Sequence, residues 1–98
     1  MNPIAHLNKI FDSRIRLGIM SALTVNATVN FNQLKELLQI TDGNLASHLK
    51  TLEEQTYIAV EKSFIGRKTN TNYRITPLGE QAFKAHLAAL EKMIQQVG

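Results

Sequence analysis

The chain is predicted to be a single α+β domain, mostly α, with two short helices, a basic two-stranded β-hairpin and a long terminal helix. Three observations predict it. A pair of capped amphipathic segments joined by a tight turn fills 31–55. Two runs of alternating apolar residues flank Gly66 within 57–76. After Pro77 the apolar spacing stays helical through 97.

Ninety-eight residues support one domain, 1–98, with a modest core covering roughly 60–68% of the unfolded chain's surface. A hydrophobic content of 44% against 19% charged residues excludes a disordered or fibrous chain. The absence of cysteine excludes disulfides, thiolate metal sites and thiol chemistry. No apolar run approaches the roughly 20 residues needed to span a bilayer. The first residues, MNPIAHLNKIF, lack the features of a signal peptide, so a cytoplasmic location is expected.

The charge is lopsided. Lys62, Arg67, Lys68 and Arg74 follow one another with no acid among them; removing these four from the 11 basic residues leaves seven against eight acids. The +3 excess therefore sits on one hairpin. A helix followed by a basic hairpin suits the reading of a polyanionic duplex.

The elements follow in order. Ile4, Leu7 and Phe11, with Pro3 suited to a first turn, predict a short helix over 3–11. Asp12 or Ser13 caps the next, which carries Ile15, Ile19, Ala22 and Leu23 on one face. The β-branched stretch 25–29 reads as a short extended piece. Asn30 with Gln33 forms a capping-box pattern, predicting a helix over about 31–39 with Phe31, Leu34, Leu37 and Leu38. Thr41 then caps a helix whose buried stripe is Leu45, Leu49 and Leu52. Two short helices, a tight turn and a polar outer face describe a helix-turn-helix.

In the hairpin, Ile58 and Val60 share one parity, as do Tyr73 and Ile75. Facing Val60 with Ile75 also faces Glu61 with Arg74, making Arg74 in part a structural ion pair. Gly66 supplies backbone freedom at the tip, from which Arg67, Lys68, Thr69 and Asn70 project into solvent. Thr76 and Pro77 start the last helix, 77–97. Phe83, Leu87, Leu90, Ile94 and Val97 form a heptad-like seam there. Such a seam exceeds what one small core needs. With Ile4 and Leu7 of 3–11 it predicts a homodimer interface.

These residues argue against catalysis. Ser47 and His48 are neighbours on a helix, about 100° apart, and cannot form a nucleophile–base pair. No glycine-rich phosphate loop and no HExxH motif occurs. His6 and His86 fall on the two terminal helices and are positioned to approach one another in a dimer. Without HxxxH spacing or cysteine they define no metal site. No cofactor is expected.

The order of elements resembles the winged-helix transcriptional regulators of the MarR and ArsR kinds, closest to short single-domain MarR-like members. The resemblance runs over about 6–94. It is carried by RIRLGIMSAL at 14–23, TDGNLASHL at 41–49, Leu52-Glu53, Tyr57-Ile58, Gly66-Arg67-Lys68 and TNYRITPLG at 71–79. It implies a winged helix-turn-helix in which 42–54 is the recognition helix and 57–76 the wing. Thr56 stands where the family usually has glycine, Ala46 where a DNA-contacting serine is common, and Asn70 where an arginine is common near the wing tip.

The resemblance implies a DNA site. The recognition helix enters the major groove, about 12 Å wide. Asn44 pairs bidentately with adenine; Ser47 and Thr51 meet bases or phosphates; Lys50 meets phosphate; and Thr41 offers its hydroxyl and the helix N-terminus. Arg67 and Lys68, with Thr69 and Asn70 beside them, lie along the backbone next to the minor groove. His48, on the helix flank, is open to either a structural hydrogen bond or a phosphate contact. The function expected is a homodimeric, sequence-specific duplex-DNA-binding regulator, a repressor on a pseudo-palindromic site. The alternative is a winged-helix protein-interaction module. A small-molecule effector has no place in the sequence other than between the dimer helices and the core.

Overall fold

Ser13, Asn30, Thr41 and Thr76 each start a helix by the same device. In each, the side-chain oxygen accepts the backbone N–H three residues on, at 3.2, 2.8, 3.2 and 2.9 Å. They open α1 (Arg14–Val25), α2 (Phe31–Leu38), α3 (Asp42–Glu54) and α4 (Pro77–Val97). Asn30 completes a capping box, its own N–H donating to Gln33 Oε1 at 2.9 Å. The structure is a computed structural model and describes residues 2 and 4–97, with side chains through Gln96.

Three strands, β1 (Val29–Asn30), β2 (Ile58–Ile65) and β3 (Lys68–Ile75), form an antiparallel sheet in the order β1-β3-β2. This is the winged-helix architecture. The extended piece expected at 25–29 begins later, because α1 runs through Val25; only Val29 and Asn30 pair with β3. Between β2 and β3 the loop is Gly66-Arg67, with Gly66 at φ 67°, the positive angle a tight two-residue hairpin needs at that position. Lys68, Thr69 and Asn70 consequently belong to a strand rather than to the tip.

The register differs from expectation by two residues: Val60 faces Tyr73, and Ile58 faces Ile75. An even shift leaves every side chain on its expected face. Ile58 and Tyr73 are buried against the helices, while Arg74 still meets Glu61, now diagonally, at 2.9 Å.

The predicted helix over 3–11 is not formed among the described residues; Pro3 lies outside them. Turns closed by Ala5 N–H to Asn2 O and Leu7 N–H to Ile4 O, both 3.2 Å, lead to a 3-10 turn at Lys9–Phe11. Asn8 is the reason. Its Oδ1 accepts from Ile10 N–H at 3.0 Å, and its own N–H donates to His86 Nδ1 at 3.0 Å instead of to residue 4. The Asn8 amide also donates to the Tyr57 hydroxyl at 3.0 Å. This polar knot seats Phe11, whose ring lies 5.6 Å from Tyr57, 5.5 Å from Phe83 and 5.1 Å from His86.

The core lies between the sheet and the helices. Phe11, Ile19, Met20, Leu23, Leu34, Leu45, Leu49 and Leu52 are all below 2% exposed, each stabilising by roughly 1.5–3 kcal/mol. Gly79, in the first turn of α4, is buried against the carbonyl of Tyr57, where a Cβ would collide with it. Thr76 strengthens the same junction: its N–H donates to Tyr57 O at 3.0 Å and its hydroxyl to Thr56 O at 2.6 Å. Thr56 itself takes the left-handed conformation, φ 59°, at the turn from α3 into β2.

Candidate nucleic-acid interface

Three leucines orient α3. Leu45, Leu49 and Leu52 are at 0%, 1% and 0% exposure, which fixes the rotation of α3 about its axis. Asn44, Ser47 and Lys50, spaced by three, are therefore turned outward and exposed. Ala46 and Glu54 are exposed as well, the latter an acid on the outer face. Thr51 is half-buried and donates its hydroxyl to Ser47 O at 3.2 Å, back along its own helix. Thr41 is exposed, with its oxygen engaged in capping. Lys35 of α2 pairs with Asp42 at 2.8 Å, joining the first turn of α3 to its neighbour.

Of the two readings left open for His48, a structural hydrogen bond or a phosphate contact, the structure contains the hydrogen bond. Arg16 Nη1 donates to His48 Nδ1 at 2.9 Å, and Arg16 Nε donates to Ile10 O at 2.6 Å. Burial first, and the Arg16 charge second, hold the imidazole below its ordinary value. His48 thus accepts from Arg16 as a neutral ring, and Arg16 ties the N-terminal turn, α1 and α3 together.

On the wing, Arg67, Lys68 and Thr69 are exposed as expected. Asn70 is a correction: it is half-buried, opposite Ser63, in a cleft shared with Asn30, Phe31, Asn32, Thr69 and Thr71. Two-residue closure of the hairpin draws it away from the tip. Lys62, counted in the basic hairpin from the sequence but not among the individual DNA contacts, lies exposed opposite Thr71. With Arg74 paired to Glu61, the wing cations without an acidic partner among the described residues are Lys62, Arg67 and Lys68. Their lack of nearby acids was legible; their freedom needed the register.

The α4 seam divides. Phe83 is 5% exposed and belongs to the chain's own core, so it is not available to a partner, because the Asn8 knot brings Phe11 onto it. His86 is likewise buried, at 4%, and cannot meet His6 of a second copy. Leu7 and Leu90 are half-buried, whereas Ile4, Leu87 and Ile94 are exposed by 58%, 46% and 65%. The side chain of Val97 lies outside the described residues. His6 sits instead beside Ala85, Ala88, Ala89, Lys92 and Gln96, along a shallow groove on α4.

Residues 15–94, from the first turn of α1 to near the end of α4, match the family described as winged helix DNA-binding domain. The chain belongs to that family. A protein of Methanocaldococcus jannaschii of uncharacterized function is 38% identical over 89 residues, covering 91% of this chain and 97% of that one. A structure titled a transcriptional regulator homologue, from Pyrococcus horikoshii OT3, superposes with a TM-score of 0.77 at 32% identity, covering 91% and 93% of the two chains. A chain described as of the MarR family, from Enterococcus faecalis V583, shares the fold with a TM-score of 0.75 at 22% identity, covering 91% and 79%. Winged-helix members of this kind are DNA-binding regulators and not enzymes. Among the described residues, no helix is long and apolar enough to cross a membrane.

Proposed function

We propose that the protein is a homodimeric transcriptional repressor of the cytoplasm that binds a pseudo-palindromic duplex site. The observation carrying this reading is the pairing of an outward polar face, Asn44, Ser47 and Lys50, with three wing cations that have no acidic partner among the described residues. Asn44 reads adenine by a bidentate amide contact, Ser47 meets a base or phosphate, and Lys50, Lys62, Arg67 and Lys68 neutralise phosphates. Repression follows from occupancy: a protein lying across a promoter excludes polymerase.

Leu87 and Ile94, seven residues apart on one side of α4 and exposed by 46% and 65%, support pairing of two copies. In such a dimer the recognition helices sit about 34 Å apart, one helical turn of DNA. The test is salt dependence. Two to four neutralising cations per subunit imply a log–log slope of about −4 to −7 for the dimer. No retardation of any duplex at low salt, or a slope near zero, refutes DNA binding and leaves the protein-interaction reading.

A further inference from the structure

Arg16 decides which nitrogen of His48 carries the proton. A guanidinium only donates, so the 2.9 Å contact from Nη1 makes Nδ1 the acceptor. The one proton of the neutral ring is then on Nε2. Nε2 has no bonding partner among the described residues, yet no unpaired polar side-chain atom is buried there, so Nε2 opens to solvent. The same guanidinium is anchored by its Nε to Ile10 O at 2.6 Å. A planar fork held at both ends fixes the direction of the ring. His48 thus presents one oriented, neutral N–H donor with no acceptor among the described residues.

The place of that donor on α3 selects its acceptor. Four residues along a helix turn about 40°, so His48 stands beside Asn44, on the side that Arg16 of α1 approaches. Leu45, Leu49 and Leu52 point inward, and His48 lies roughly 65° from their mean direction. With the face opposite those leucines turned to base edges, His48 is too far round to reach the groove floor. A helix with its side chains is about 10–12 Å across, close to the 12 Å width of the major groove. Its flanks therefore meet the walls, which are lined by phosphates. Neither Arg16 nor His48 pairs with a carboxylate among the described residues, so an anionic oxygen meets no competitor there.

We propose that His48 Nε2–H donates to a DNA phosphate at the rim of the major groove, and that Arg16 is the positioning residue that aims it. The proposal rests on the DNA-binding reading and adds a residue of α1 to it. The bond to Arg16 and the bond to phosphate use the two nitrogens of one ring, so each accommodates the other. Because the donor is neutral, it sets the depth and rotation of α3 against one strand without releasing a counterion.

The experiment uses the full chain and a duplex selected by it from a random pool, with each phosphate in turn replaced by a neutral methylphosphonate. His48→Asn keeps an acceptor for Arg16 at the position of Nδ1 and removes the Nε2 donor. Arg16→Lys keeps the charge but cannot hold Ile10 O and His48 together. The expected result is about a tenfold loss of affinity per subunit for His48→Asn, with the salt slope unchanged. At one phosphate in each half-site, wild type is sensitive to replacement and His48→Asn is not. Arg16→Lys blunts sensitivity at that same phosphate, whereas a merely structural role lowers affinity at every position alike. Thermal melting verifies folding, and His48→Asn alone decides the contact even if Arg16→Lys unfolds. If His48→Asn matches wild type in affinity and in its map of sensitive phosphates, the contact is refuted while DNA binding stands. A slope flattened by about 2 for the dimer makes the ring charged in the complex and overturns the neutral donor. If wild type selects no duplex, the DNA-binding reading itself fails.

Discussion

Arg16 of α1 and His48 of α3 are joined at 2.9 Å, Nη1 to Nδ1, and the same guanidinium holds Ile10 O at 2.6 Å. The flank of α3 is thereby fastened to the 3-10 turn at Lys9–Phe11 through one side chain. A cation faces the imidazole, so the bond needs that ring neutral.

This sets a pH dependence. The folded chain protonates His48 at lower pH than the unfolded chain, whose histidine keeps the ordinary value of 6.5. The unfolded state then binds more protons, so this contribution is complete above that value and is lost as pH falls below it. Urea midpoints measured from pH 7.5 to 5 are expected to drop more for wild type than for His48→Asn, which keeps an acceptor for Arg16 but does not titrate. Parallel profiles refute the linkage.

Thr56→Gly is expected to stabilise the fold. A β-branched residue at φ 59° costs on the order of 1 kcal/mol relative to glycine. The contact that matters there, Thr76 Oγ1 donating to the Thr56 carbonyl, is to backbone and survives the change. Chemical denaturation reads the gain directly, and a lower midpoint overturns the assignment.

Gly79→Ala is expected to do the reverse. The added methyl meets the Tyr57 carbonyl, rigid backbone that cannot rotate away, and overpacking of this kind costs about 1–3 kcal/mol or more. A melting temperature equal to wild type contradicts the close approach.

The two parts of the proposed DNA surface are separable by substitution. Arg67→Ala with Lys68→Ala is expected to weaken binding to all duplexes and to flatten the dimer's salt slope by about 3–4, two cations from each of two subunits. Asn44→Ala is expected to leave that slope in place and relax preference at one base pair, worth about 1–3 kcal/mol of discrimination. Competition among single-base variants of a selected duplex distinguishes them. Indifference to both changes removes the surface from DNA binding.

Leu87→Glu with Ile94→Glu is expected to give a folded monomer in sedimentation equilibrium. Both side chains are exposed in one copy, so the charges are tolerated by the fold and buried only at a partner. An unchanged mass places the contact elsewhere.

What could be read from the residues was whatever repeats or caps. Four helix starts were legible because serine, threonine and asparagine caps act locally, and α3 because Leu45, Leu49 and Leu52 recur at helical spacing. Residues 3–11 misled for the converse reason: Ile4, Leu7 and Phe11 have helical spacing, but Asn8 bonds to His86, 78 positions away. The hairpin's faces were legible from parity, yet a two-residue slip keeps parity, so the register was not. That slip decides whether Asn70 belongs to the tip or to a strand, and it leaves Phe64 and Ile65 flanking the turn.

The junction at Tyr57 has a mechanical consequence. Thr76 and Gly79 grip the backbone just past the end of α3, within the first turn of a helix 21 residues long. The long helix is the arm of a lever, and Tyr57 lies at its fulcrum. In the proposed pair, a small change in how the two arms cross would swing both copies of α3, linking their separation to the far end of the molecule.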